Sequence, residues 1–328
     1  MVALATRIQC CLINWIGRSK KGNVIGISRA AVLCQELERR RLPNGGWADL
    51  SGAQPSVEAT CLAILGLLGV VEVDTNAGAG LSSLLAWQTA DGSWPSFVGD
   101  SEWSWTTSLA LITVSVMGGS KRAVDRAARS LVEVRGQEAH WLWRWKFKTT
   151  DRQSGIDPDK FGWPWTPGAA SWVIPTAFAV VALKQFTACT PTDIVDRRIR
   201  IGVEMLADRA CVGGGWNAGN RVACGMRLAP HVEATAVALM ALQGEPKTPL
   251  IEQSLEWLRQ QAANLHAVSS LAWTILSLFL FGIPVNDLKS SLAAQVDDPS
   301  SVRNNATLAV AALGLQCGET IHPFALIR

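Results

Sequence analysis

Two short stretches place a carboxyl at the head of an almost wholly apolar run: Ser56-Val57-Glu58-Ala59-Thr60 and His231-Val232-Glu233-Ala234-Thr235. Burial disfavours the charged form of a carboxyl, and a carboxyl kept protonated is what a general acid requires. In the second stretch His231 stands two residues before Glu233, where a hydrogen bond from it would make the carboxyl a stronger proton donor. Glu233 and His231 are therefore the candidate catalytic pair. The repetition also admits a plainer role. A carboxylate in the first turn of a helix favours the positive end of the helix dipole and caps free N–H groups, worth about 0.3–1 kcal/mol. The two roles differ in geometry, since an acid turns into a cavity and a cap folds back on its own helix.

Aromatic residues gather near the same places. The chain has 15 Trp and no Tyr, which suits a repeated packing motif or a wall of ring faces around an apolar or cationic ligand. Trp103 and Trp105 (GDSEWSWTTS) and Trp172 (AASWVIPTA) flank the starts of apolar helices and are candidate substrate contacts at a cavity mouth. Asp100 and Glu102 add carboxylates at that rim. Glu58, Cys224 and Trp216 complete the candidate substrate-binding set, Trp216 also being readable as a packing wedge. Cys224 and His231 would give a metal two ligands without a third, so neither a metal nor another cofactor is expected.

These residues are positioned by a repeat of helix pairs. Six runs at 57–70, 105–118, 172–184, 231–243, 269–281 and 304–315 are apolar on every side, and such helices must be buried all round. Each follows an amphipathic helix with i, i+3/i+4, i+7 spacing, at 28–41, 79–88, 121–135, 193–209, 249–262 and 285–295. Alternation of one-sided and all-sided helices predicts two layers closed into an all-α, α/α toroid, with about six inner and six outer helices around a central cavity. No stretch reads as a sheet. The turns repeat as well: Asn44-Gly-Gly-Trp47, Asp91-Gly-Ser-Trp94, Gly162-Trp-Pro-Trp165 and Gly213-Gly-Gly-Trp216. Glycine supplies the positive φ of a tight turn, and Trp47, Trp94, Trp165 and Trp216 are expected to wedge between neighbouring pairs.

With Gln88 in LLAWQTADGSW, these turns resemble the Gln-Trp repeat of squalene and oxidosqualene cyclases and the related repeat of protein prenyltransferase beta subunits. The resemblance covers nearly the whole chain and implies the terpenoid cyclase/protein prenyltransferase-like toroid. It also implies an isoprenoid small molecule as ligand. Cyclases that begin by protonation carry their acid in an Asp-x-Asp-Asp-Thr-Ala motif at the head of an inner helix. Here the matching stretch is His231-Val-Glu233-Ala-Thr235-Ala236, which puts Glu233 at the donor position and loses two of the three carboxylates. The prenyltransferase zinc ligands are not reproduced, because Thr235 stands in place of the cysteine. Three functions follow in order: a protonation-initiated terpene cyclase, a non-catalytic isoprenoid binder or carrier, and a prenyltransferase-like subunit. Full-length triterpene cyclases join two such barrels. A single barrel implies a homodimer, a partner subunit or a smaller substrate.

An insertion at about 137–161 departs from the repeat. Within it, HWLWRWKFK puts Trp141, Trp143, Trp145 and Phe147 on one side and Arg144, Lys146 and Lys148 on the other, a period of two that suits an extended segment. It is readable as a lid, a diphosphate-binding rim, a peripheral membrane contact through 141–148, or a cover for the toroid's edge. With 30 basic against 27 acidic residues, the charge balance argues against a nucleic-acid partner. Eight scattered Cys without a CxxC pair suit reduced thiols in a cytoplasmic protein, peripheral to the inner membrane face if the membrane contact exists. Residues 1–27 are expected to pack on the toroid that occupies 28–328. Their basic residues follow the apolar run, the wrong order for a signal peptide.

Overall fold

The computed structural model describes residues 28–50, 52–68, 74–150, 156–223 and 225–326. The N-terminal segment 1–27 and Cys224 lie outside the described residues. Among the described residues thirteen α-helices follow in chain order: α1 (Arg29–Arg39), α2 (Val57–Gly66), α3 (Asp74–Ala86), α4 (Thr106–Val116), α5 (Lys121–Glu133), α6 (Trp141–Thr149), α7 (Val173–Cys189), α8 (Asp193–Arg209), α9 (Val232–Ala241), α10 (Pro249–Ala262), α11 (Val268–Leu280), α12 (Asn286–Gln295) and α13 (Asn305–Gln316). A two-residue hairpin, β1 (Val222–Ala223) with β2 (Met226–Arg227), interrupts the loop before α9. It is the exception to the expectation of no sheet.

The apolar helices α2, α4, α7, α9, α11 and α13 each pack against the next, and α13 packs back on α2. Six helices in a closed ring make an α/α toroid. The amphipathic helices α1, α3, α5, α8, α10 and α12 lean on this ring from outside. Composition explains the sorting: α9 is apolar almost all round, whereas α5 buries only the stripe Ala123, Ala127, Ala128, Ser130 and Leu131.

One contact recurs where outer helices pass to inner ones. The backbone N–H groups of Trp47, Trp94, Trp163 and Trp216 each donate to a threonine on the following inner helix, Thr60, Thr107, Thr176 and Thr235, at 2.9 Å. The four indole N–H groups donate to the carbonyls of Leu37, Leu84, Leu131 and Leu206 at 2.6–2.8 Å. All four rings are fully buried. The wedge of the third copy is thus Trp163 and not Trp165. Spacing explains the correction, for Trp47, Trp94 and Trp163 each precede their threonine by thirteen residues. Gly162, just before Trp163, sits so close to Thr176 that an added Cβ would lie 2.0 Å from its hydroxyl.

One end of the ring is sealed. Gln185 at the end of α7 donates to the carbonyls of Pro323 and Ala325 at 2.8 and 3.0 Å. Gln243 donates to Phe324 O at 2.7 Å and accepts from Leu326 N at 2.9 Å. His322 Nε2 bonds Leu276 O at 3.1 Å while Nδ1 accepts from Phe324 N at 3.3 Å. Burial pushes His322 down to about 4, so near neutral pH it donates from Nε2 as an uncharged ring. These bonds hold Phe324 inside the ring, fully buried.

Candidate active site at the heads of the inner helices

The threonine contact fixes register. The residues two positions before Thr60, Thr107, Thr176 and Thr235 are Glu58, Trp105, Ile174 and Glu233, which occupy equivalent stations at the heads of four inner helices. All four are partly buried. In the ring order α2–α4–α7–α9–α11–α13, helices α2 and α9 stand opposite each other, so Glu58 and Glu233 are opposed across the mouth.

Neither carboxyl caps its own helix. The N-cap of α2 is Ser56, whose hydroxyl accepts from Ala59 N at 3.0 Å. Glu233 Oε1 instead accepts from two hydroxyls of the adjacent inner helix, Ser269 at 2.7 Å and Ser270 at 3.1 Å. Glu58 has no hydrogen-bond donor among the described residues. Burial, with the charges of Asp49 and Glu233 adding to it, pushes its carboxyl up from 4.5 to about 7. Asp49 is itself held by Ser56, whose Oγ donates to its Oδ1 at 2.5 Å.

From the level of the carboxyls a stack of rings descends into the ring of helices. Trp165 meets Trp105 edge-on at 5.1 Å, and Trp105 meets Phe178 at 5.6 Å. Phe178 contacts Trp273 at 5.7 Å and Phe324 at 5.9 Å, and Trp273 meets Phe324 at 5.6 Å. Phe178 and Trp273 are one helical turn beyond Ile174 and Ser269, which puts them on the same inward stripe, one layer down. At this end of the ring two opposed glutamates thus stand beside a packed column of aromatic rings. The buried Phe324 ends it.

The other sequence candidates divide. His231 opens α9 with its N–H on Trp216 O at 2.7 Å, but its ring is exposed and makes no hydrogen bond to Glu233. The partners of Glu233 are serines, and two residues of separation explain why the imidazole does not turn back. Trp216 is itself the fully buried wedge of the fourth copy and is not free to contact a substrate. Trp105 and Trp172 are partly buried at the heads of α4 and α7, and Trp103 is buried with its indole N–H unpaired among the described residues. Asp100 is exposed, folded into its own turn by bonds from Ser101 N and Glu102 N at 2.7 and 3.1 Å. With Gln54, Phe97, Val98 and Gly99 it borders an open rim groove of about 610 Å³. Sequence reasoning missed Trp165, Phe178, Trp273, Phe324, Ser269, Ser270 and Asp49. The i+4 spacing from the inner-helix heads would have found Phe178 and Trp273. Among the described residues no group of three His, Cys, Asp or Glu is arranged to hold a metal.

No protein-family model and no curated protein matches the chain. Solved structures do. A type II terpene cyclase, MstE from Scytonema, in complex with its substrate geranylgeranyl dihydroxybenzoate, superposes with a TM-score of 0.53 at 16% identity, covering 93% of this chain and 82% of that one. Its complex with the product merosterolic acid A gives 0.52 at 17% identity over 93% and 83%. An endo-1,4-D-glucanase from Vibrio fischeri gives 0.53 at 11% identity over 90% and 97%. The chain thus has a terpene cyclase-like toroid, a fold that also hosts other chemistry.

Proposed function

We propose that this protein is an isoprenoid-processing enzyme that begins cyclisation by protonation, with Glu58 as the proton donor and Glu233 as its opposed partner. The observation that carries the reading is the unequal pair: equivalent stations on opposed helices, above an aromatic stack, with Glu58 held toward its protonated form. The initiating acid thereby moves from Glu233, the sequence candidate, to Glu58. Glu58 gives its proton to the substrate, and the π electrons of the next double bond close a ring onto the resulting cation. The faces of Trp105, Trp165 and Phe178 stabilise positive charge at about 2 kcal/mol for each desolvated contact. Loss of a proton from carbon, to Glu233 across the mouth, ends the reaction as a net isomerisation. An acid of about 7 is weak, which favours an epoxide or an already polarised double bond over a plain alkene. The Phe324 seal favours a short chain.

One observation favours a second reading. An opposed carboxyl pair with one member held toward its protonated form is also what glycoside hydrolysis employs, and the glucanase shares the fold. The experiment separates the two. Purified protein and the variants Glu58→Gln and Glu233→Gln are incubated with linear isoprenoids from C15 to C35, including epoxides and diphosphates, and in parallel with a β-1,4-glucan. Mass spectrometry and reducing-sugar release are the readouts. A cyclic product lost in Glu58→Gln supports the proposal. New reducing ends replace it with hydrolysis, and unchanged lipid retained by all three proteins replaces it with a carrier.

A further inference from the structure

The connection between α5 and α7 carries a helix that the proposed chemistry does not use. The segment expected to be extended is helix α6, and none of its residues is buried. At helical spacing its aromatic side chains divide. Trp143 and Phe147, four residues apart, are partly covered and meet each other at 6.3 Å, with the Lys146 ammonium 4.6 Å from the Trp143 ring. Trp141, Leu142 and Trp145 stand outward, 71%, 49% and 59% exposed. With Thr149 they form one face roughly 100° wide, flanked by Lys148 on one side and Lys146 on the other. No acidic residue lies on the helix itself. Asp159, from the following loop, pairs with Arg144 and with Lys148, the latter at 2.6 Å.

Single exposed apolar residues need no explanation, but a contiguous patch does. Tryptophan is the side chain that settles at headgroup depth in a bilayer, and flanking cations are drawn to anionic lipid. The location fits as well. Just before α6, Gln137 N–H donates to Ala169 O at 2.9 Å, and Glu138 accepts from Ser171 N at 3.1 Å. Ser171 precedes Trp172 at the head of α7, so α6 is anchored at the mouth end of the toroid. No helix among the described residues is long and apolar enough to cross a membrane, so such contact is made from the surface.

We propose that α6 lays the Trp141–Leu142–Trp145 face on an anionic bilayer surface, so that the mouth opens beside the lipid phase from which an isoprenoid would enter. The purpose rests on the isoprenoid reading, but the test does not. The full chain and the double variant Trp141→Ser/Trp145→Ser are sedimented with phosphatidylcholine vesicles, with and without phosphatidylglycerol. Circular dichroism and Tm verify that the variant folds. The expected result is partitioning of the wild type onto anionic vesicles about tenfold stronger than onto neutral ones, weakened by salt and reduced at least about tenfold in the variant. Failure of the wild type to bind anionic vesicles would overturn the proposal, as would undiminished binding by the variant. Self-association abolished in the variant, with no vesicle binding, would assign the face to a second copy instead. Vesicle binding without any isoprenoid turnover keeps this inference and removes the functional reading, and turnover without binding does the reverse.

Discussion

Glu58 and Glu233 hold the same station, two residues before a threonine bound to a buried tryptophan, on helices that face each other. The chain surrounds them differently. Around Glu233, α11 contributes Ser269 and Ser270, both donating to one carboxyl oxygen. Around Glu58 there is burial and two like charges, with no donor among the described residues. The Gly-Trp repeat therefore fixes where a side chain stands at the mouth, and the neighbours from other repeats decide what its carboxyl can do.

The comparison can be broken most severely by removing each carboxyl in turn. Glu58→Gln is expected to lower turnover at least about 100-fold, the range of a lost general acid. Glu233→Gln is expected to keep more activity than Glu58→Gln, because it removes the base of the closing step and a like charge but leaves the donor. Without that charge Glu58 titrates lower, so the high-pH fall in activity moves to lower pH. Equal losses with unchanged pH profiles would erase the distinction.

Phe324→Ala tests whether the floor is separate from the carboxyls. Emptying that buried position is expected to cost about 3–5 kcal/mol of stability, read as a lower Tm. It is also expected to shift substrate preference toward longer chains while the pH limb stays in place. A moved limb would mean that the floor and rim are one unit.

Stability against pH sharpens the comparison without any substrate. Folded Glu58 binds its proton up to about pH 7, against 4.5 for an ordinary glutamate. The folded state thus holds more protons than the unfolded one between those values, and stability from this group falls as pH rises through that window. Above pH 7 Glu58→Gln is expected to be more stable than the wild type by about 2 kcal/mol, discounted for partial exposure. The difference should close below about pH 4.5. Denaturant melts at pH 5 and pH 8 read it directly. The smallest effect is expected from Ser269→Ala with Ser270→Ala, about 1 kcal/mol for each lost bond, and it should bring the surroundings of Glu233 closer to those of Glu58.

The repeat was legible because the Gly turns, the wedge tryptophans and the all-round apolar helices are local features. The third wedge was misplaced by two residues because Gly162-Trp-Pro-Trp165 contains two tryptophans, and only the thirteen-residue interval to Thr176 chooses between them. Helix α6 was misread because Trp141, Trp143, Trp145 and Phe147 alternate. On a helix the same residues form two faces, Trp143 with Phe147 partly covered and Trp141 with Trp145 exposed. The serine partners and the Phe324 seal were not legible, because each depends on a contact between distant repeats. Phe324 is set by Gln185 and Gln243, whose amides look like ordinary helix-end polar residues until the closing segment passes beneath them.

The most direct test is a pH titration of the glutamate carboxyl carbons by ¹³C NMR in the wild type and in the two Gln variants. The account predicts one glutamate titrating near pH 7, absent in Glu58→Gln and shifted to lower pH in Glu233→Gln. A wild-type protein in which every glutamate titrates below about pH 5.5 would contradict it, because all would then behave as ordinary carboxyls.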